Sequence, residues 1–251
     1  MRLFGLIGYP LEHSFSPGYF GEKFRKEGID AEYRLFPLES VGAFPRLVED
    51  VPSLEGLNVT IPYKKQILPY LDRLSDEASR IGAVNTLVFD KTSDNSRFIS
   101  GYNTDVWGFT HSIRPLLKPH DRLALVLGTG GSSAMVGYAL RKLGIVPLFV
   151  TRSNPATAES IRYSQLTPEE LRRRSVIVNT TPVGMYPHVE EKPPIPYSAI
   201  GPDHLLFDLV YNPPESRFLQ EGLRRGARVK NGYQMLCLQA EKSWEIWNSL
   251  T

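Results

Sequence analysis

Leu123-Ala124-Leu125-Val126-Leu127-Gly128-Thr129-Gly130-Gly131-Ser132-Ser133 reads as a strand that runs into a glycine loop and then a helix. An unbroken apolar run bounded by glycines is the pattern of a strand covered on both faces. Glycines let a backbone approach a pyrophosphate closely, and the N–H groups at a helix start attract its charge. The spacing departs from G-x-G-x-x-G/A, because Ser133 holds the third small position. A glycine turn without a ligand is the plainer alternative, and the strand–loop–helix context is what favours a dinucleotide. The expectation is a parallel α/β unit with Gly128, Gly130, Gly131 and Ser132 against the cofactor.

The end of the next strand bears on which cofactor. An Asp or Glu there would suit the ribose 2′-hydroxyl of NAD, whereas an arginine suits the 2′-phosphate of NADP. The chain reads Val150-Thr151-Arg152-Ser153, with an arginine and no acid, which points to NADP.

Strand-like and helix-like segments alternate along the whole chain, the pattern of mostly parallel sheets covered by helices. Two separate α/β starts are visible, at residue 2 and at residue 123, with a polar hairpin (91–96) and a long helix (104–117) between them. The fold class expected is therefore α/β with two domains. One spans 1–103 and is joined by a C-terminal helix, 231–251, that returns to it; the other, 104–230, is of Rossmann type.

In the first domain, Asn58-Val59-Thr60-Ile61-Pro62-Tyr63-Lys64 ends a strand at Pro62 and sets a lysine at the start of an expected helix, 63–71. Asn58 and Thr60 share a face, because strand side chains alternate. Two neutral hydrogen-bonding groups and a lysine at a strand end suit a small polar substrate; a solvated lysine after an ordinary strand is the other reading. Ser14 and Ser16 could hold a carboxylate, and Ser16 before Pro17 is also a helix N-cap signature. Asn85, Thr86, Asn103, Thr104 and Asp105 add polar groups at the ends of elements.

Composition excludes several classes. The net charge of +2 over 251 residues gives no basic surface for nucleic acid or a membrane. The arginine clusters at 172–174 and 224–225 fall near helix C-termini, where cations complement the helix dipole. One cysteine, Cys237, rules out an internal disulfide and a multi-cysteine metal site, and the five histidines lack metal-ligand spacing. No apolar run approaches membrane-spanning length and no signal peptide is legible, so a cytoplasmic protein is expected.

Eight segments, in order and at matching spacing, resemble the shikimate dehydrogenase family. They are His13-Ser14-Phe15-Ser16-Pro17, 58–64, Gly82-Ala83-Val84-Asn85-Thr86, Gly101-Tyr102-Asn103-Thr104-Asp105, 128–131, Asn179-Thr180-Thr181-Pro182-Val183-Gly184-Met185, 208–213, and Gly232-Tyr233-Gln234-Met235-Leu236 with Gln239. The resemblance implies NADPH-dependent, reversible reduction of 3-dehydroshikimate to shikimate in aromatic amino-acid biosynthesis, by a monomer or homodimer. It makes Lys64 the catalytic lysine and Asp105 its partner. It assigns Ser14 and Ser16 to the substrate carboxylate, and Asn58, Thr60, Asn85, Tyr211 and Gln239 to the ring hydroxyls. Asp76, Leu209 and Gly232 match positions lining the cofactor. A quinate/shikimate dehydrogenase with relaxed NAD or NADP use, and a catalytically silent NADP-binding relative, are the alternatives weighed.

The departures fall in the cofactor domain. Ala134 and Met135 stand where the family commonly has a basic and then a small residue, and Arg152 is followed by Ser153-Asn154-Pro155-Ala156 without a second cation. Fewer charge-assisted phosphate contacts predict weaker or less selective NADP binding.

Overall fold

The computed structural model describes residues 1–12, 14–91, 97–155 and 157–249. His13, Ala156 and residues 92–96 of the expected hairpin lie outside the described residues. The chain separates into two compact units, Met1–Asp105 with Gln239–Thr251, and Val106–Leu238.

The first unit contains β1 (Arg2–Gly8), α1 (Ser16–Glu27), β2 (Ala31–Pro37), α2 (Phe44–Asp50), β3 (Leu54–Val59), β4 (Arg73–Leu74), α3 (Asp76–Ile81), β5 (Thr86–Lys91) and β6 (Arg97–Tyr102). Its sheet has the order β2-β1-β3-β5-β6-β4. β2, β1 and β3 run parallel, and β5 and β6 are antiparallel additions. Apolar side chains bury both faces. Leu57, Leu87, Val59 and Ile67 lie on one side, while Phe4, Phe20, Phe24 and Val88 lie on the other, where Ala240 and Trp247 of the last helix complete the layer.

The second unit opens with α4 (Asp105–Ile113), whose first residue is counted with the first unit. It contains β7 (Leu123–Leu127), α5 (Gly131–Lys142), β8 (Val146–Thr151), β9 (Ser160–Arg162), α6 (Pro168–Arg172), β10 (Val176–Asn179), β11 (Leu205–Asp208), α7 (Arg217–Leu223), β12 (Arg228–Lys230) and the start of α8 (Tyr233–Ser249). Its sheet is parallel throughout, in the order β12-β11-β10-β7-β8-β9. β7, β10 and β11 bury nearly every residue, so the alternation of a half-exposed sheet is absent and the strands read as apolar runs. The strand order switches direction between β7 and β10, which opens a crevice beyond the strands' carboxyl ends.

Three local expectations are corrected. Residues 61–67 form successive turns, followed by a short 3-10 turn at Leu68–Tyr70, instead of a helix over 63–71. Pro69 has no N–H to give the Lys65 carbonyl, so an α-helix cannot propagate through it. Ser16 is the first residue of α1, and the N-cap is Phe15, with no side-chain cap. The helix expected over 104–117 ends at Ile113 and gives way to a 3-10 turn at Arg114–Leu116, where Pro115 again lacks a donor.

Candidate active site

In the first unit Lys64 Nζ lies 2.6 Å from Asp105 Oδ2, and the two side chains are 23% and 14% exposed. Irregular backbone brings them together. Thr60 leaves β3 with its N–H on the Ile7 carbonyl, the Tyr63 N–H returns to Thr60, and the Lys64 carbonyl accepts from Val84 at 2.9 Å. Asp105 opens α4, where a carboxylate also complements the helix dipole.

Behind the pair stands a buried cluster of uncharged groups. Asn85 Oδ1 accepts from the Thr104 N–H at 2.7 Å, and Asn85 Nδ2 donates to Thr104 Oγ1 at 3.0 Å and Gln239 Oε1 at 3.3 Å. Asn58 Nδ2 donates to the Asn85 carbonyl, Thr86 Oγ1 and Ser243 Oγ, and Asn58 Oδ1 accepts from Tyr33 at 2.8 Å. Ser16, 9% exposed, reaches the Tyr33 hydroxyl, while Ser14 Oγ donates to the Leu11 carbonyl at 2.8 Å. Burial pushes ionisation of the Tyr33 phenol far above its ordinary range. The cluster therefore holds directional neutral donors and acceptors beside one ion pair. A ring bearing hydroxyls and a carboxylate matches that chemistry.

Eight residues named from the sequence, Lys64, Asp105, Asn58, Asn85, Thr86, Thr104, Ser16 and Gln239, thus sit in or against one cluster. Tyr33 and Ser243 were not foreseen. Ser243 stands four residues after Gln239 on the same helical face, the one signal that could have found it. Asp76 opens α3 of the first unit, behind the N-cap Ser75. Tyr211, Leu209 and Gly232 belong to the second unit.

The second unit carries a cavity of about 560 Å³ at the carboxyl ends of β7, β8 and β10, lined by Gly128, Gly130, Ser133, Arg152, Thr180 and Thr181 among others. Gly128 has φ of 114°, and a β-carbon there would lie 2.9 Å from Thr180 Oγ1. Ser133, in the third small position of the glycine loop, is buried and its hydroxyl lies 2.7 Å from that of Thr180. The serine thus ties the loop to β10 instead of leaving room for closer packing. Gly131 and Ser132 form the first turn of α5 and do not line the cavity. Leu209 and Gly232 lie against each other beyond it, the glycine because a β-carbon would overlap the Leu209 carbonyl. Exposed backbone beside two glycines, a helix start and one guanidinium fit the pyrophosphate and phosphates of NADP. Among the described residues no cluster of His, Cys, Asp or Glu could hold a metal, and no helix is long and apolar enough to cross a membrane.

A lysine–carboxylate pair in one unit and a glycine-lined cavity at the strand ends of the other suit the class of α/β nicotinamide-dependent dehydrogenases. A family model for the shikimate dehydrogenase substrate binding domain matches residues 6–87. The NADP-dependent shikimate dehydrogenase of Clostridium beijerinckii is 38% identical over 257 residues, 98% of this chain and 92% of that protein. That of Halothermothrix orenii is 36% identical over 99% of this chain and 91% of its own. The solved structure of shikimate 5-dehydrogenase from Thermus thermophilus, in complex with NADP(H) and shikimate, matches with a TM-score of 0.86 at 30% identity, over 99% of this chain and 94% of that one. The chain belongs to the shikimate dehydrogenase family.

Proposed function

We propose that Lys64 is the acid–base residue of the reaction and Asp105 the group that holds and shares its proton. The chain is an NADP-dependent oxidoreductase that interconverts 3-dehydroshikimate and shikimate. The observation that carries the assignment of roles is the 2.6 Å Lys64–Asp105 pair at the edge of a buried neutral cluster. When bound, NADPH supplies the hydride for ketone reduction, so the protein must orient the substrate and deliver one proton to the forming alkoxide. An ammonium on a long side chain can reach that oxygen, and the Asp105 carboxylate fixes its direction. Ser14 and Ser16 would take the substrate carboxylate. Asn58, Thr60, Asn85, Gln239 and Tyr211 would take ring hydroxyls, as the family resemblance assigns them, and Asn58 also bonds Thr86 and the Asn85 carbonyl.

The unit of residues 1–105 and 239–251 is assigned to the substrate, and the unit of 106–238 to NADP. On the family resemblance, Asp76, Leu209, Gly232, Gly131 and Ser132 would contact the cofactor, with Gly128, Gly130 and Arg152 at its phosphates. A biosynthetic role supports a cytoplasmic location, as a monomer or homodimer.

The test is absorbance of reduced nicotinamide after shikimate and NADP are added, repeated with quinate and NAD. Shikimate with NADP should give the highest kcat/KM. A Lys64→Ala enzyme should lose about 10²- to 10⁴-fold in kcat, the usual size of an acid–base contribution. Near-wild-type turnover in that variant would remove Lys64 from its role.

A further inference from the structure

We infer that Asp208 is a positioning residue that locks the 180–183 segment of the cofactor cavity and the 209–211 turn to a single buried carboxylate. Asp208 ends β11 and is fully buried. Its Oδ1 accepts from Asn179 Nδ2 at 2.9 Å and from the Val210 N–H at 3.0 Å, and its Oδ2 accepts from the Ser216 hydroxyl. None of these partners is a cation.

Each partner leads to a different piece of the unit. Asn179 ends β10, and its Oδ1 accepts from the N–H and hydroxyl of Thr181 at 3.1 and 2.6 Å, while its Nδ2 also reaches the Val183 carbonyl at 3.3 Å. Thr181 and Val183 line the cavity assigned to NADP. Val210 lies between Leu209, which rests on Gly232, and Tyr211. Ser216 caps α7 through the Leu219 N–H. Three donors from three elements thus converge on one side chain.

A carboxylate presents two oxygens with room for all three donors, which a single neutral acceptor cannot match so well. Burial pushes the Asp208 carboxyl up to about 6, against the lowering effect of the Ser216, Val210 and Asn179 hydrogen bonds. An unpaired buried carboxylate opposes stability at neutral pH, so packing alone does not account for it. Asparagine would keep Oδ1 for Asn179 and Val210 and could donate to the Ser216 oxygen. Leucine would strand all three donors.

The inference rests on NADP occupying this cavity, and the experiment separates the two. Dissociation constants for NADP alone would be measured by calorimetry on the full chain, with KM for shikimate and thermal unfolding in parallel. Asp208→Asn should stay within about threefold of wild type, since its hydrogen bonds persist. Asp208→Leu, folded at the assay temperature, should bind NADP roughly 10- to 100-fold more weakly and raise the KM for shikimate, as displaced binding groups do. An Asp208→Leu protein with a lowered Tm but unchanged NADP affinity would overturn the positioning role. If that variant does not fold, Asn179→Ala removes the one arm that joins Asp208 to Thr181 and Val183 and keeps the Val210 and Ser216 bonds. It should weaken NADP while leaving the KM for shikimate nearly unchanged, and unaltered NADP affinity would again overturn the role. Arg152→Ala is the control for the cavity. Should it leave NADP affinity intact together with Asp208→Leu, the cavity assignment fails and the inference with it.

Discussion

The indole of Trp247 lies directly against the α-carbon of Gly56, and its Nε1 donates to the Leu87 carbonyl at 2.9 Å. The last helix is thereby keyed to β3 and β5 at Gly56, where β3 has no side chain to hold the indole away. The same indole stacks on Phe4 with centroids 4.7 Å apart. A β-carbon on residue 56 would overlap the indole, so Gly56→Ala should destabilise the unit by about 1–3 kcal/mol through overpacking. Trp247→Ala should remove about 3–5 kcal/mol. Denaturant melts of each variant check both values.

Asp208 makes stability depend on pH in a direction opposite to most carboxylates. Its folded value, about 6, lies above the ordinary 3.8. Below 3.8 both the folded and unfolded chains hold the proton, and its contribution is fully present. As pH rises from there through about 6, the unfolded chain releases the proton first and stability falls. At pH 7 the accumulated loss is on the order of 3 kcal/mol. Asp208→Asn should flatten this component and melt at a higher temperature than wild type at neutral pH. Equal slopes for the two proteins between pH 4 and about 6.5 would contradict the shift.

Arg152 lines the cavity without a second cation following it in the chain. Arg152→Gln should weaken NADP binding by roughly 10- to 100-fold, the value of a charge-assisted hydrogen bond. NAD, lacking the 2′-phosphate, should lose little. Calorimetry with both nucleotides measures the ratio directly.

Tyr33 holds Asn58 from the side opposite Asn85. Tyr33→Phe removes the donor to Asn58 Oδ1 and leaves a buried acceptor unpaired, at about 1–3 kcal/mol of stability. Because Asn58 also bonds Thr86 and the Asn85 carbonyl, the KM for shikimate should rise more than kcat falls. A kcat effect without a KM effect would place Tyr33 in the chemical step instead.

Much of this was legible before any coordinates. The apolar run at 123–127 and its glycine loop specify the parallel sheet locally, because buried strands and helix starts have strong short-range signatures. The Lys64–Asp105 pair was reached through motif order, since residues 41 apart in sequence meet at 2.6 Å. The helix expected at 63–71 was lost because Pro69 breaks it from inside, and short strands such as Arg73–Leu74 carry too few residues for any periodicity. Tyr33 and Ser243 lie 25 and 185 residues from Asn58. Only the sheet order and the returning helix bring them together. For Ser243 the spacing from Gln239 marks the shared helical face, but not the asparagine that this face meets.

The division of the chain has a consequence for its biosynthesis. Residues 106–238 form one uninterrupted stretch, whereas the unit that begins at Met1 takes in Gln239–Thr251. A ribosome therefore delivers the whole middle unit before it delivers Trp247. The segment made first must wait with Phe4, Phe20 and Gly56 uncovered until the final helix emerges. Of the two units, the one whose synthesis starts earlier is thus the later to mature.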